Sequence, residues 1–345
     1  MSFEVQIRRW PAPVAVETGG TILEAALDAG VPYPHGCRSG NCGACKSRLY
    51  RGDVEMSPYS EFALTDDEKA QGLILACRAV PWSDAEIGWL EDAEVVVHPR
   101  RRLDCRVVAI EDATHDIKRF RLEILSGGPF TFSAGQYAEV RFEGQPKRDY
   151  SMANRPDEAL LEFHVRRVEG GTASRHAAER LKLGDHVEVE GPFGSSWLRE
   201  NHTGPILAAA GGSGLAPVKS IVETALARGM RQPIRFYFGA RAERDIYLMD
   251  DFAALAARHP NLQIVPVLSE PAGPAGPIAR RTGYLADAIA ADLADLDGWK
   301  VYLAGPPVMV ETVTEAARAR GARREDIHAD AFYTEADKAK LEAAR

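Results

Sequence analysis

The 345-residue chain is 45% hydrophobic and 27% charged, as an ordinary globular protein is, and its net charge is −8. Its length predicts roughly two to three domains. The acidic balance argues against nucleic acid as a partner, and no run approaches the ~20 apolar residues of a membrane span. Met1-Ser2-Phe3-Glu4-Val5-Gln6-Ile7 alternates like a strand and lacks the apolar core of a signal peptide, so a cytoplasmic location with no membrane partner is expected.

Residues 1–95 read as the first domain. Strands over Phe3–Arg8 and near Val14–Val16 lead to Thr21-Ile22-Leu23-Glu24, a capping-box pattern opening a helix through Ala25, Ala26 and Leu27 that ends near Gly30. Next comes Gly36-Cys37-Arg38-Ser39-Gly40-Asn41-Cys42-Gly43-Ala44-Cys45, and a fourth cysteine, Cys77, stands far downstream. The C-x(4)-C-x(2)-C…C spacing is that of a plant-type [2Fe–2S] ferredoxin. Three thiolates from one loop converge on a small anionic cluster only if the backbone wraps it closely, which Gly36, Gly40 and Gly43 permit. Inward N–H groups then offset the charge. A zinc module would carry its ligands as two short Cys pairs, and five cysteines are too few and odd in number for a disulfide framework. Cys37, Cys42, Cys45 and Cys77 are the expected metal ligands, and Cys105, in an alternating run, a buried core residue. A strand over Lys46–Tyr50, an Arg51-Gly52-Asp53 turn and a helix-turn region before Cys77 complete the order of a β-grasp ferredoxin.

Charge is uneven along the chain. Residues 1–96 hold eight Lys/Arg against fifteen Asp/Glu, nearly the whole imbalance. On an electron-transfer domain this suits steering of a docking partner. Arg38 and Lys46 are the only charged residues from Cys37 through Ser47, so a locally basic patch is expected at the cluster loop.

Residues 96–102, Val96-Val97-His98-Pro99-Arg100-Arg101-Arg102, read as a short basic linker whose arginines are solvated. Residues 103–200 look all-β, with about six short alternating strands, Gly/Pro turns and one helix over Ala173–Leu183, which predicts an antiparallel barrel. Inside it lie Arg148-Asp149-Tyr150-Ser151 and His164-Val165-Arg166-Arg167-Val168-Glu169-Gly170-Gly171-Thr172-Ala173-Ser174.

Residues 201–345 alternate β and α, predicting a doubly wound parallel sheet that binds ligands at the carboxyl ends of its strands. The apolar run Ile206–Ala210 ends in Gly211-Gly212-Ser213-Gly214-Leu215-Ala216-Pro217 and a helix to about Arg228. That strand-to-helix turn, although not a G-x-G-x-x-G fingerprint, suits a nucleotide's phosphates. Further strands are expected at Ile234–Phe238, Leu262–Leu268 and Val301–Ala304, the last followed by Gly305-Pro306-Pro307.

Arg-x-Tyr-Ser with a downstream Gly-Gly-x-x-Ser, placed between a ferredoxin loop and a nucleotide pattern, resembles the flavin signature of the ferredoxin–NADP⁺ reductase superfamily. The resemblance implies that Arg148 forks onto a pyrophosphate, that Tyr150 packs on the flavin, and that Ser151 hydrogen-bonds the ring nitrogen that receives hydride. It assigns His164, Val165, Arg166, Gly170, Gly171, Thr172 and Ser174 to the same cofactor. It assigns Gly211, Gly212, Ser213, Gly214, Pro217, Gly239, Arg241, Gly305 and Pro306 to the nucleotide. Ala304 departs from the family's Cys-Gly-Pro-Pro, so hydride transfer is expected to be slower or differently tuned. In His328-Ala329-Asp330-Ala331-Phe332-Tyr333, Asp330 and Phe332 fall where relatives place an acid and an aromatic against the flavin; the alternative is a final core strand. Arg241 and Arg244 flank Glu243 in the loop that meets a 2′-phosphate, and NADH is favoured over NADPH.

Over essentially its full length the chain resembles the three-domain reductase components of bacterial aromatic-ring oxygenases. That implies electrons passing from NADH through FAD and [2Fe–2S] to a terminal oxygenase, a Rieske dioxygenase or a monooxygenase, or to an intermediate ferredoxin. Nicotinamide gives two electrons and the cluster carries one, and a flavin converts between them. The competing readings are a flavin-free electron carrier, a biosynthetic reductase of deoxysugar type, and an FMN-using reductase, whose ferredoxin normally lies at the other end of the chain.

Overall fold

The structure, a computed structural model, describes residues 2–90, 96, 98–270, 279–334 and 337. The expected end of the first domain at 95 therefore lies outside the described residues, as does part of the linker. The chain forms two compact units, Met1–Val97 with Tyr333–Arg345, and His98–Phe332.

The first unit contains β1 (Ser2–Ile7), β2 (Val14–Glu17), α1 (Ile22–Asp28), β3 (Lys46–Arg51), β4 (Val54–Met56), α2 (Asp66–Ala70), β5 (Leu73–Leu75), β6 (Ala79–Pro81) and β7 (Ala85–Trp89). The main sheet runs β2-β1-β7-β3-β5, with β1 antiparallel to β2 but parallel to β7, the mixed pairing of a β-grasp. Alternation buries Val5, Ile7, Val14 and Val16 against Ile22, Leu23 and Ala26 of α1. Thr21 caps α1 by accepting from Glu24 N, whereas the full reciprocal capping box forms at Thr65 and Glu68 of α2.

The second unit opens with β8 (Arg101–Asp112), β9 (Ile117–Ser126), β10 (Tyr137–Phe142), β11 (Arg148–Ser151), β12 (Leu161–Arg166), α3 (Thr172–Glu179) and β13 (His186–Phe193). The six strands order as β11-β10-β13-β8-β9-β12, and a bridge between Met152 and Phe163 joins the two ends into a barrel. Strand β8 starts inside the stretch expected to be a linker. Arg100 and Arg102 are not simply solvated: both pair with Glu190, which Lys147 also holds.

The unit continues with β14 (Ile206–Gly211), α4 (Leu215–Ala227), β15 (Ile234–Ala240), α5 (Met249–Arg258), β16 (Leu262–Leu268), β17 (Arg281–Thr282), α6 (Leu285–Asp292), β18 (Lys300–Gly305), α7 (Pro307–Arg318) and β19 (Ile327–Ala331). The sheet is parallel throughout, ordered β17-β16-β15-β14-β18-β19. Its β14 strand is buried at every position, as a strand covered on both faces must be. Strand order reverses between β14 and β18, which makes the ends of those two strands the topological switch point. Among the described residues no helix is long and apolar enough to cross a membrane.

Candidate active site

The cysteine loop folds around its own sulfurs. Asn41 N donates to Cys37 Sγ and Cys37 N to Cys42 Sγ, each at 3.3 Å, and Cys77 N reaches Cys45 Sγ at 3.5 Å. Gly40 makes the tight turn, with φ of +77°, and a Cβ there would lie 2.8 Å from Arg78 Cγ and 2.9 Å from Tyr59 Cβ. All four cysteines are free. The hydrogen bond from Cys42 pulls Cys37 down to about 5, while the neighbouring sulfur and burial push Cys42 and Cys77 up. The sulfurs of Cys37 and Cys42, and those of Cys45 and Cys77, lie within hydrogen-bonding reach of each other, and N–H groups already face them. This donor set fits a [2Fe–2S] cluster. Cys105 sits elsewhere, fully buried in the barrel core, where burial raises it to about 12.

Of the two cations expected at this loop, Lys46 is withdrawn and Arg38 stays, while Arg78 packs on Gly40. Lys46 is buried and ion-paired to Glu68 at 2.5 Å, because β3 turns its side chain onto the start of α2. Tyr333, which belongs to the same unit, donates its hydroxyl to Asn41 O at 3.5 Å.

On the barrel, edge strand β11 leaves Arg148 exposed, its guanidinium bonded to Lys147 O. Tyr150 lies half-buried against Phe142. Ser151 is buried, and its hydroxyl donates to Asp330 Oδ2 at 3.4 Å. At the start of α3, Gly170 takes φ of +73° and Gly171 is the cap. Thr172 opens the helix, and Ser174 Oγ accepts from Val168 N, fixing the turn. The exposed Arg148, half-buried Tyr150 and open helix start suit an anionic dinucleotide cofactor such as FAD.

Two residues assigned to that cofactor have side chains committed elsewhere. Val165 lies in the barrel core. His164 is fully buried between Glu162 Oε1 at 2.8 Å and Tyr247 Oη at 3.0 Å. Burial, the largest influence, pushes His164 down to about 4 despite the Glu162 bond. Burial alone would raise Glu162, but His164, Lys219 and Arg119 outweigh it and hold the carboxyl below its ordinary range. Arg166 donates to Asp116 Oδ2 at 2.8 Å and lies beside the glycine turn after β14: a Cβ on Gly212 would stand 3.4 Å from Arg166 Nη1.

At the switch point the backbones of three segments meet. A Cβ on Gly214 would fall on the Ala304 carbonyl, and one on Gly305 would lie 2.8 Å from Gly211 O. Gly212 adopts φ of +56°, Ser213 follows it in the same 3-10 turn, and Pro217 is buried in the first turn of α4. Pro306 caps α7. Phe332 N donates to Gly305 O at 2.9 Å, while its side chain packs on the sheet's core. Asp330 lies on β19, so the segment is both the final strand and a neighbour of Ser151. Gly239, next to last in β15, lies under Leu285; Arg241 is exposed, and Glu243 pairs with Arg280.

Sequence reasoning missed the residues that join barrel to nucleotide sheet. Lys219 Nζ donates to Ala153 O at 3.1 Å, Ser220 Oγ donates to Asn154 O at 2.7 Å, and Tyr247 meets His164. Lys219 and Ser220 were signalled only by polarity on the otherwise apolar α4, and Tyr247, before α5, carried no signal.

Fold and site together define an NAD(P)H oxidoreductase that uses FAD and a [2Fe–2S] cluster. Three family models match in order: a 2Fe-2S iron–sulfur cluster binding domain over residues 7–81, an oxidoreductase FAD-binding domain over 104–197 and an oxidoreductase NAD-binding domain over 209–315. The chain is 44% identical to the ferredoxin–NAD(P)⁺ reductase component of the naphthalene 1,2-dioxygenase/salicylate 5-hydroxylase systems of a Ralstonia species, covering 92% of this chain and 94% of that one. It is 37% identical to the reductase component of phenol 2-monooxygenase from a Pseudomonas species, covering 98% and 96%. Among solved structures it superposes on a cytochrome P450 reductase of Amycolatopsis with a TM-score of 0.78 at 38% identity, covering 96% and 98%. The chain belongs to the three-domain iron–sulfur flavoprotein reductases that serve as components of oxygenase systems.

Proposed function

We propose that this protein is the NADH-dependent reductase of a cytoplasmic oxygenase system that degrades aromatic compounds, delivering electrons to a terminal oxygenase or to an intermediate ferredoxin. The observation that carries the reading is the meeting of Ser151, from the barrel, with Asp330, from the nucleotide sheet, beside the switch point at Gly211–Gly214 and Gly305. Residues assigned to two cofactors thus meet within a single compact unit. The domains run from 1 to about 95, from about 101 to 200, and from 201 onward, in keeping with the start of β8 at Arg101.

When bound, flavin accepts the two electrons of a hydride and releases them singly, which the one-electron cluster requires. Arg148 offers a fixed positive fork to the flavin's phosphates, and Gly170–Thr172 let α3 begin against them. Tyr150 supplies an aromatic face. Ser151 Oγ presents a hydroxyl whose proton Asp330 Oδ2 can accept, so the pair can hold or release a proton at the reacting edge. Gly211–Gly214 with Pro217, and Gly305–Pro306, leave backbone room for the nucleotide's phosphates. Gly239 and Arg241 border its far ribose. Cys37, Cys42, Cys45 and Cys77 hold the cluster, and Arg38 flanks the exit.

The test is reconstitution. With NADH, the purified protein should drive turnover by an aromatic-ring oxygenase encoded beside it. Failure with that oxygenase, together with turnover of a deoxysugar-forming partner, would overturn the assignment of substrate class.

A further inference from the structure

A buried hydroxyl connects the barrel to the nucleotide loop. Tyr247 Oη lies 3.0 Å from His164 Nδ1 on β12 and 3.3 Å from the carbonyl oxygen of Gly212, the residue that turns the chain from β14 into α4. Its ring meets His164 edge-on, with centroids 5.4 Å apart, and stands edge-on to Phe238 at 5.9 Å. The histidine is itself fixed. Nε2 faces the Glu162 carboxylate at 2.8 Å, and that carboxylate also meets Arg119, at 3.2 Å, and Arg121, at 3.3 Å. With Glu162 ionised and His164 neutral, the ring proton belongs on Nε2 and Nδ1 is an acceptor. Nδ1 and the Gly212 carbonyl oxygen are then both acceptors, and they share the single Tyr247 proton.

We propose that Tyr247, registered by the Glu162–His164 pair, is a positioning residue for hydride transfer: it fixes the Gly212 turn, and with it the bound nucleotide, relative to the flavin barrel. The inference rests on the reading of Gly211–Pro217 as the nucleotide loop. Three features carry it. Gly212 turns the chain at φ of +56°, and its carbonyl oxygen lies 3.3 Å from Tyr247 Oη, so the orientation of the turn is tied to that hydroxyl. Strand β12 is buried on both faces from Leu161 through Val165, so His164 cannot swing away. Tyr247 lies on the connection before α5, but its ring is packed in the core of the nucleotide sheet, so the link ties that core to the barrel. Small displacements of donor from acceptor cost hydride transfer steeply, while ground-state binding tolerates them.

The test uses the full-length protein loaded with FAD and cluster. Tyr247→Phe keeps the ring and removes the hydroxyl. Flavin and cluster absorbance should stay as in the parent, and NAD⁺ affinity by calorimetry should change less than about twofold. The limiting rate of flavin reduction at saturating NADH should fall about five- to tenfold, and the long-wavelength absorbance of the NAD⁺-bound reduced protein should weaken. His164→Asn should act on the same quantities, and the double variant should be no slower than the worse single one, because both belong to one link. An unchanged limiting rate and unchanged long-wavelength absorbance would overturn the proposal. So would a loss of NAD⁺ affinity with an unaltered limiting rate, which would make Tyr247 a mere support of the loop. Gly212→Val tests the underlying reading separately: it should abolish NAD⁺ binding, and retention of binding would move the nucleotide site elsewhere.

Discussion

The Ser151 hydroxyl on the barrel's edge strand donates to Asp330 Oδ2 on the last strand of the nucleotide sheet at 3.4 Å. Residues 179 positions apart are thereby brought together where the flavin's reacting edge is proposed to lie. Asp330→Ala should leave FAD bound and slow flavin reduction by roughly a hundredfold or more, in the range of a lost proton-handling group. Ser151→Ala should do likewise, and the two losses should not add. Stopped-flow absorbance at saturating NADH measures this; parent-like rates in both variants would remove the pair from the chemistry.

Acid stability should report the Glu162–His164 pair. His164 titrates near 4 in the fold against 6.5 ordinarily, so below pH 6.5 the unfolded chain binds a proton that the folded chain refuses. Stability is then lost as pH falls from about 6.5 toward 4. Glu162, also held below its ordinary 4.5, adds a loss of the same sign as pH falls through its own folded range. Urea midpoints between pH 7 and 4.5 should fall for the parent and fall less steeply for His164→Asn. Equal slopes would show that the histidine does not carry this dependence.

The cluster loop was legible because three of its four ligands are local: three cysteines and three glycines within ten residues state both the donors and the turns. The barrel and the parallel sheet were legible from periodicity. What was not legible depends on faces covered by distant segments. An alternating strand would expose every second side chain, yet Leu161–Val165 are buried without a break because the nucleotide domain covers the outer face of β12. For that reason His164 appears as a cofactor residue in the sequence and as an interdomain residue in the fold. Lys46 likewise belongs to Glu68, 22 residues on, and Arg100 and Arg102 to Glu190 across the barrel.

Nucleotide preference should follow the loop after β15. Glu243 is ion-paired to Arg280, while Arg241 and Arg244 are exposed. NADH should still be used with the higher kcat/KM, and Arg241→Ala with Arg244→Ala should lower kcat/KM for NADPH several-fold more than for NADH. Steady-state kinetics with both nucleotides decides it; equal or better use of NADPH by the parent would contradict the assignment.

Partner docking should depend on salt. The first 96 residues carry fifteen acidic against eight basic side chains, and with Lys46 buried Arg38 is the remaining cation beside Cys37. Reduction of the partner should slow steeply between about 20 and 300 mM salt, over which the screening length shortens several-fold. Arg38→Glu should slow it further without changing flavin reduction. A flat salt profile with a silent Arg38→Glu would mean apolar docking or another face.

On the proposed path electrons run from nicotinamide through flavin to a cluster held by Cys37, Cys42, Cys45 and Cys77. The most direct test of that path is anaerobic stopped-flow mixing of NADH with the parent and with Cys77→Ser, each in the presence of the purified partner oxygenase. The parent should show flavin bleaching, then cluster bleaching, then partner reduction. Cys77→Ser should lose cluster absorbance, keep flavin bleaching and ferricyanide reduction at the parent rate, and fail to reduce the partner, while Cys105→Ser should behave as the parent. Partner reduction by Cys77→Ser at the parent rate would contradict the path.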